Sequence, residues 1–191
     1  VMLMVGKDES LFVVFPPLFA WLSSLLYPVL GDRVIHFLPL LAFFFSFILL
    51  SRTIQMLLNR RDGRYALLFS FLLASPALFF AMTFFEHLPA LFLVISSLYF
   101  LVRYCMQETS PAFLFLSTLL LTSGIFFRTE IFFLAAASGL SLGYNLLKLD
   151  KHKDLFIAAI GYAIPVAAYA LANAIIYGNL PGMHMDFNLR I

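Results

Sequence analysis

Charge is what this chain has least of. Its 191 residues include 12 Lys and Arg and 10 Asp and Glu, a charged share of 12%, whereas a soluble domain carries about 25%. A water-facing surface cannot be assembled from so few. Cysteine is nearly absent too: Cys105 stands alone, which excludes an internal disulfide and leaves the redox compartment unreadable. The net charge of +2 gives no polyanion-binding stripe, and no nucleic-acid partner is expected. Glycine-rich phosphate loops, nucleophile elbows, internal repeats and low-complexity tracts are missing. So is the apolar–polar alternation of a membrane barrel. The first ten residues, VMLMVGKDES, lack the basic start and apolar core of a signal peptide.

What fills the chain is hydrocarbon. Hydrophobic residues make up 63%, Phe alone accounts for 24 positions, and the mean hydropathy is +0.99. A helical span needs about 17–25 mostly apolar residues. Segments 34–50, 65–85, 88–102, 110–127, 131–147 and 155–177 meet or approach that length. The expected fold is all-α: a polytopic transmembrane helical bundle of about six spans. Segment 11–30, LFVVFPPLFAWLSSLLYPVL, has the length of a span, but Pro16, Pro17 and Pro28 break it. Trp21 and Tyr27 are residue types that seek the membrane interface. It reads either as one arm of a hairpin with 34–50 or as short helices lying on the surface.

Basic residues orient the spans. Segment 51–64 holds Arg52, Arg60, Arg61 and Arg64, Arg103 opens the connection after 88–102, and segment 148–154 holds Lys148, Lys151 and Lys153. If the spans alternate, these eight share one side, expected to be cytoplasmic. Glu86, His87, Arg128, Glu130 and the tail after Tyr177 then fall on the outer side of an integral, multi-pass membrane protein.

Ionisable residues inside apolar runs draw attention because they cost free energy next to lipid. Glu86 and His87 precede Leu88 and Pro89, and proline favours the first turn of a helix, so a span is expected to begin at Pro89. Its outward N–H groups would attract anions. Glu86 either complements that helix end or serves in acid–base or binding chemistry. In FFRTEIFF (126–133), Arg128 and Glu130 stand two apart. Such a pair does not meet on a helix, so a turn is expected. Its arginine could be a plain turn residue or could fork onto a phosphate. In the tail, His184 and Asp186 have a weak metal spacing with no third ligand; no metal or cofactor is expected.

Four phrases, in order, carry a resemblance: FPPLFAWLSSLLYPVLGDR followed by LPLL, then FFEHLPALFL, FFRTEIFFL and YGNLPGMHMDFN. Together they resemble the GT-C class of membrane glycosyltransferases, in particular bacterial proteins similar to the protein O-mannosyltransferases. The resemblance implies a bacterial inner-membrane enzyme that transfers a sugar from a polyprenyl-phosphate carrier at the outer face, with membrane lipid around it. It places Glu86 as the candidate catalytic carboxylate and His87, Arg128, Glu130 and His184 around the substrate. It also divides the chain into the end of an outer loop (1–33), spans (34–177) and the start of a later outer loop (178–191). In that class a leading span and an acidic motif precede the position where this chain begins. The 191 residues are therefore expected to be an internal or N-terminally truncated piece, inactive alone, with the main base upstream and Glu86 shaping the site. A non-enzymatic scaffold and a transporter of lipid-linked glycans are the alternatives; a transporter would place its charges at mid-bilayer.

Overall fold

The computed structural model describes residues 3–5, 11–13, 18–58, 65, 67–68, 70–71, 86–106 and 110–177. Two short strands, β1 (Leu3–Val5) and β2 (Leu11–Val13), pair antiparallel with Met4 opposite Phe12. The rest of the described chain is a helical bundle: α1 (Leu18–Leu30), α2 (Val34–Leu58), α3 (His87–Met106), α4 (Pro111–Ser123), α5 (Ile131–Lys148) and α6 (His152–Tyr177). Four helices, α2, α3, α5 and α6, are long and apolar enough to cross a membrane. α4 continues through a single 3-10 turn, Gly124–Phe126. Together they rise about 26 Å, a slightly short crossing of a hydrocarbon core of about 30 Å.

Burial runs opposite to that of a soluble protein. Ser46, Thr53, Ser96, Ser97, Ser117, Thr118 and Thr122 are buried, while Phe44, Phe133, Leu140, Phe156, Leu171 and Ile175 are exposed. Small hydroxyl side chains let helix backbones approach, and large apolar ones suit lipid. All of these hydroxyls but Ser46 Oγ find partners. Thr53, Ser96, Thr122 and Ser123 each donate to the carbonyl four residues back, at 2.6–2.8 Å, and Ser97 and Ser117 join α3 to α4 at 3.1 Å. The chain is a polytopic membrane protein.

α3 and α4 form the centre. Leu114, fully buried, packs with Tyr104, Leu146 and Ala158. α4 and α6 approach closely. A side-chain carbon on Gly161 would meet Thr118 Oγ1 at 2.0 Å and the Phe115 carbonyl at 3.0 Å, so only glycine fits. α5 is the outermost span, with Ala135 and Leu146 its buried residues.

Several boundaries depart from the sequence reading. Segment 51–58 is not a loop: α2 runs on through Arg52 to Leu58, since SRTIQMLL contains no helix breaker. Arg103 lies in the last turn of α3. Segment 148–154 narrows to a turn at 149–151, with Lys148 ending α5 and Lys153 inside α6. α3 starts at His87 rather than Pro89, and the Ala90 N–H donates to the Glu86 carbonyl at 3.2 Å. α1 has 13 residues, about 20 Å, too short to span. It joins α2 through Gly31 at φ +57°, a left-handed conformation that closes the helix without a side-chain clash. Most of segment 65–85 lies outside the described residues.

The ends sort as alternation requires. Tyr104 Oη donates to Asp154 at 2.5 Å and Lys151 Nζ lies 3.5 Å from the same hydroxyl, which brings the end of α3 to the start of α6. The start of α3 meets the α4–α5 turn at the opposite end. α2 and α3 run in the same direction, because Leu38, Ala42 and Phe45 share one wall with Pro89, Phe92 and Leu93.

Candidate site at the Arg128 end of the bundle

The α4–α5 connection is short and rigidly bonded. The Phe127 and Arg128 N–H groups both donate to the Gly124 carbonyl, at 3.0 and 2.9 Å, and the Ile131 N–H donates to the Arg128 carbonyl at 3.1 Å. Gly124 sits where Ile131 presses close: an added carbon would lie 3.0 Å from Ile131 Cγ2. The turn thereby buries Phe127 in a cluster with Phe19 and Ala90 and aims Arg128 back over the start of α3.

Arg128 gathers the polar residues of this end. Its Nε and Nη2 donate to the two carboxylate oxygens of Glu130, at 3.0 and 2.7 Å, a two-pronged pair. Its Nη1 lies 3.5 Å from Glu86 Oε1 and 2.6 Å from His87 Nε2. A guanidinium has donors only. The close His87 nitrogen must therefore accept, which requires a neutral imidazole. The group carries one positive and two negative charges, a net charge of −1. The two carboxylates differ in setting: the Glu86 side chain is 15% exposed and that of Glu130 58%.

The expectation of a turn at 128–130 holds. Because the segment is a turn, Arg128 and Glu130 do meet despite their spacing of two. Glu86, His87, Arg128 and Glu130 come together from positions up to 44 apart. His184 and Asp186 lie outside the described residues. Among the described residues no three His, Cys, Asp or Glu side chains are placed to hold a metal ion.

Beside the charges lies an apolar groove of about 330 Å³, lined by α1 (Phe19, Leu22), α2 (Leu38, Ala42), α3 (Pro89, Phe92) and Phe127 of the turn, among others. Two of its walls are chain neighbours of the cluster: Phe127 precedes Arg128, and Pro89 follows His87 by two. Sequence reasoning did not find this groove. Its residues look like any other apolar residues in an apolar chain, and no spacing marks those that line a shared space. Nor did it find the Tyr104–Asp154–Lys151 group at the opposite end, whose members lie up to 50 residues apart.

The chain matches no family model, no curated protein and no solved structure in comparisons with each.

Proposed function

We propose that this protein is a membrane glycosyltransferase that takes a sugar from a polyprenyl-phosphate donor at the outer face of the membrane, in the manner of the GT-C class. One observation carries the reading: an arginine and two carboxylates gather within a few residues of two walls of an apolar groove, Phe127 and Pro89. A lipid-linked sugar phosphate needs that combination. Its isoprenoid chain asks for an apolar surface, its phosphate for a cation, and its acceptor hydroxyl for a carboxylate within hydrogen-bond reach. A volume of about 330 Å³ is at the small end of ligand pockets. It suits the part of the chain nearest the phosphate, with the remainder in the bilayer. In this reading Arg128 faces the donor phosphate, Glu86 faces the sugar or acceptor, and His87 holds Arg128 in place. The outer location follows from the basic bias of the other end, where Arg103, Lys148, Lys151 and Lys153 gather.

A scaffold reading rests on the same residues. The two-pronged bond from Glu130 is also what a purely structural brace would show. The two are separated by sugar transfer from a radiolabelled polyprenyl-phosphate donor in liposomes, with full-length protein carrying Arg128→Lys, Arg128→Ala or Glu86→Gln. Removing one preorganised donor to a developing anion costs about 10²-fold in turnover. Arg128→Lys keeps the charge and loses the fork, so it falls nearly as far as Arg128→Ala. Near-normal transfer by all three at equal expression would refute the enzyme reading and leave an interhelical brace.

A further inference from the structure

We propose that Glu130 is a displaceable counter-anion of Arg128: it holds the guanidinium fork in the structure and gives way to the anionic head of the ligand that enters the adjacent groove. The inference rests on the proposed lipid-phosphate reading and adds to it a residue that sets affinity.

Three observations lead to it. First, the fork of Arg128 is already taken. Nε and Nη2 both go to Glu130, so an incoming phosphate cannot bind the same edge until that carboxylate leaves. Second, the two carboxylates are not equivalent. Glu86 is mostly buried, immediately precedes α3, and makes only a 3.5 Å contact with Nη1. Glu130 is largely exposed, and its turn is held by backbone bonds that do not involve its side chain. Third, the departure corrects the charge. With Glu130 bonded these four described residues sum to −1, which disfavours a phosphate. With Glu130 turned outward, the remaining Arg128, neutral His87 and Glu86 sum to about neutral. His87 and Glu86, on the first turn of α3 and immediately before it, keep Arg128 aimed while its outer edge is free.

A largely exposed ion pair is worth little, and breaking it weakens ligand binding by about two- to five-fold. The test measures binding of a polyprenyl monophosphate and of the uncharged polyprenol to purified full-length protein in detergent at low salt. The unmodified protein, Glu130→Gln, Arg128→Gln and the double variant are compared. The expected result is a preference of the unmodified protein for the phosphate, lost in Arg128→Gln. Glu130→Gln should bind the phosphate about two- to five-fold tighter and the polyprenol unchanged, and the gain should vanish in the double variant. Should Glu130→Gln not fold, Glu130→Ala also removes the carboxylate, and the same gain is expected. An Arg128-dependent preference for phosphate with no gain in the Glu130 variants overturns the counter-anion role and leaves the lipid-phosphate reading standing. An equal gain for polyprenol overturns it as well. No Arg128-dependent preference at all overturns both.

Discussion

Placing one methyl group on Gly161 should pry α4 from α6. The added carbon would lie 2.0 Å from Thr118 Oγ1, 3.1 Å from Thr118 Cβ and 3.0 Å from the Phe115 carbonyl oxygen. Heavy atoms in ordinary contact stand about 3.5–4.0 Å apart. Rotating the hydroxyl away relieves the first clash but not the other two, and it breaks the bonds Thr118 donates to Leu114 and Phe115, each 3.1 Å. Overpacking of this kind costs about 1–3 kcal/mol. Gly161→Ala should therefore lower the unfolding free energy by that amount. Thr118→Ala in the same chain should recover part of it, because the Cβ and carbonyl contacts remain. Gly143→Ala is the control: its nearest neighbour would be Leu155 at 3.7 Å, so it should leave stability unchanged or raise it by up to about 1 kcal/mol. The assay is reversible unfolding in mixed micelles, with a double-mutant cycle over positions 118 and 161. Equal stability of Gly161→Ala and the unmodified protein would refute the reasoning. So would a double variant no better than the single one.

The bond between Tyr104 and Asp154 should be worth about 1.5–3 kcal/mol, as hydrogen bonds to charged groups are; Tyr104→Phe and Asp154→Ala should each show the loss in the same unfolding assay, with the double variant little worse than either. Topology is open to an impermeant thiol reagent on intact cells: Glu130→Cys in a Cys105→Ser background should label from outside, and native Cys105, at the lysine-rich end, should label only after permeabilisation. The reverse pattern would turn the protein over in the membrane.

The helices were legible in the sequence because a membrane span announces itself by length and apolarity, and the residues from 131 to 147 needed little else. Their ends were less legible. Apolarity stops where lipid stops, but backbone hydrogen bonding does not, and α2 continues eight residues past position 50 into a polar stretch. The turn at Arg128 could be read because an i, i+2 ionic pair fits no helix. That Glu86 and His87 share its end of the bundle could be read from the alternation of spans, but their direct contacts with Arg128 could not. Glu86 lies 42 residues away, and its approach depends on where α3 starts relative to a turn two helices later. The close fit at Gly161 was equally hidden. GlyTyrAla in an alanine-rich helix has no mark that separates a packing glycine from a tolerated one, and only the position of Thr118 across the interface does so.

The sequence contains a single tryptophan, Trp21, and α1 places it between Phe19 and Leu22, both of which line the groove, with about half its surface open. Indole emission from these 191 residues therefore originates at one position, on the α1 wall of the groove. Quenching by a brominated lipid, compared with quenching by aqueous iodide, reads whether α1 rests at the headgroup level. A spectral shift on adding a polyprenyl phosphate reads the groove directly, without any label on the protein.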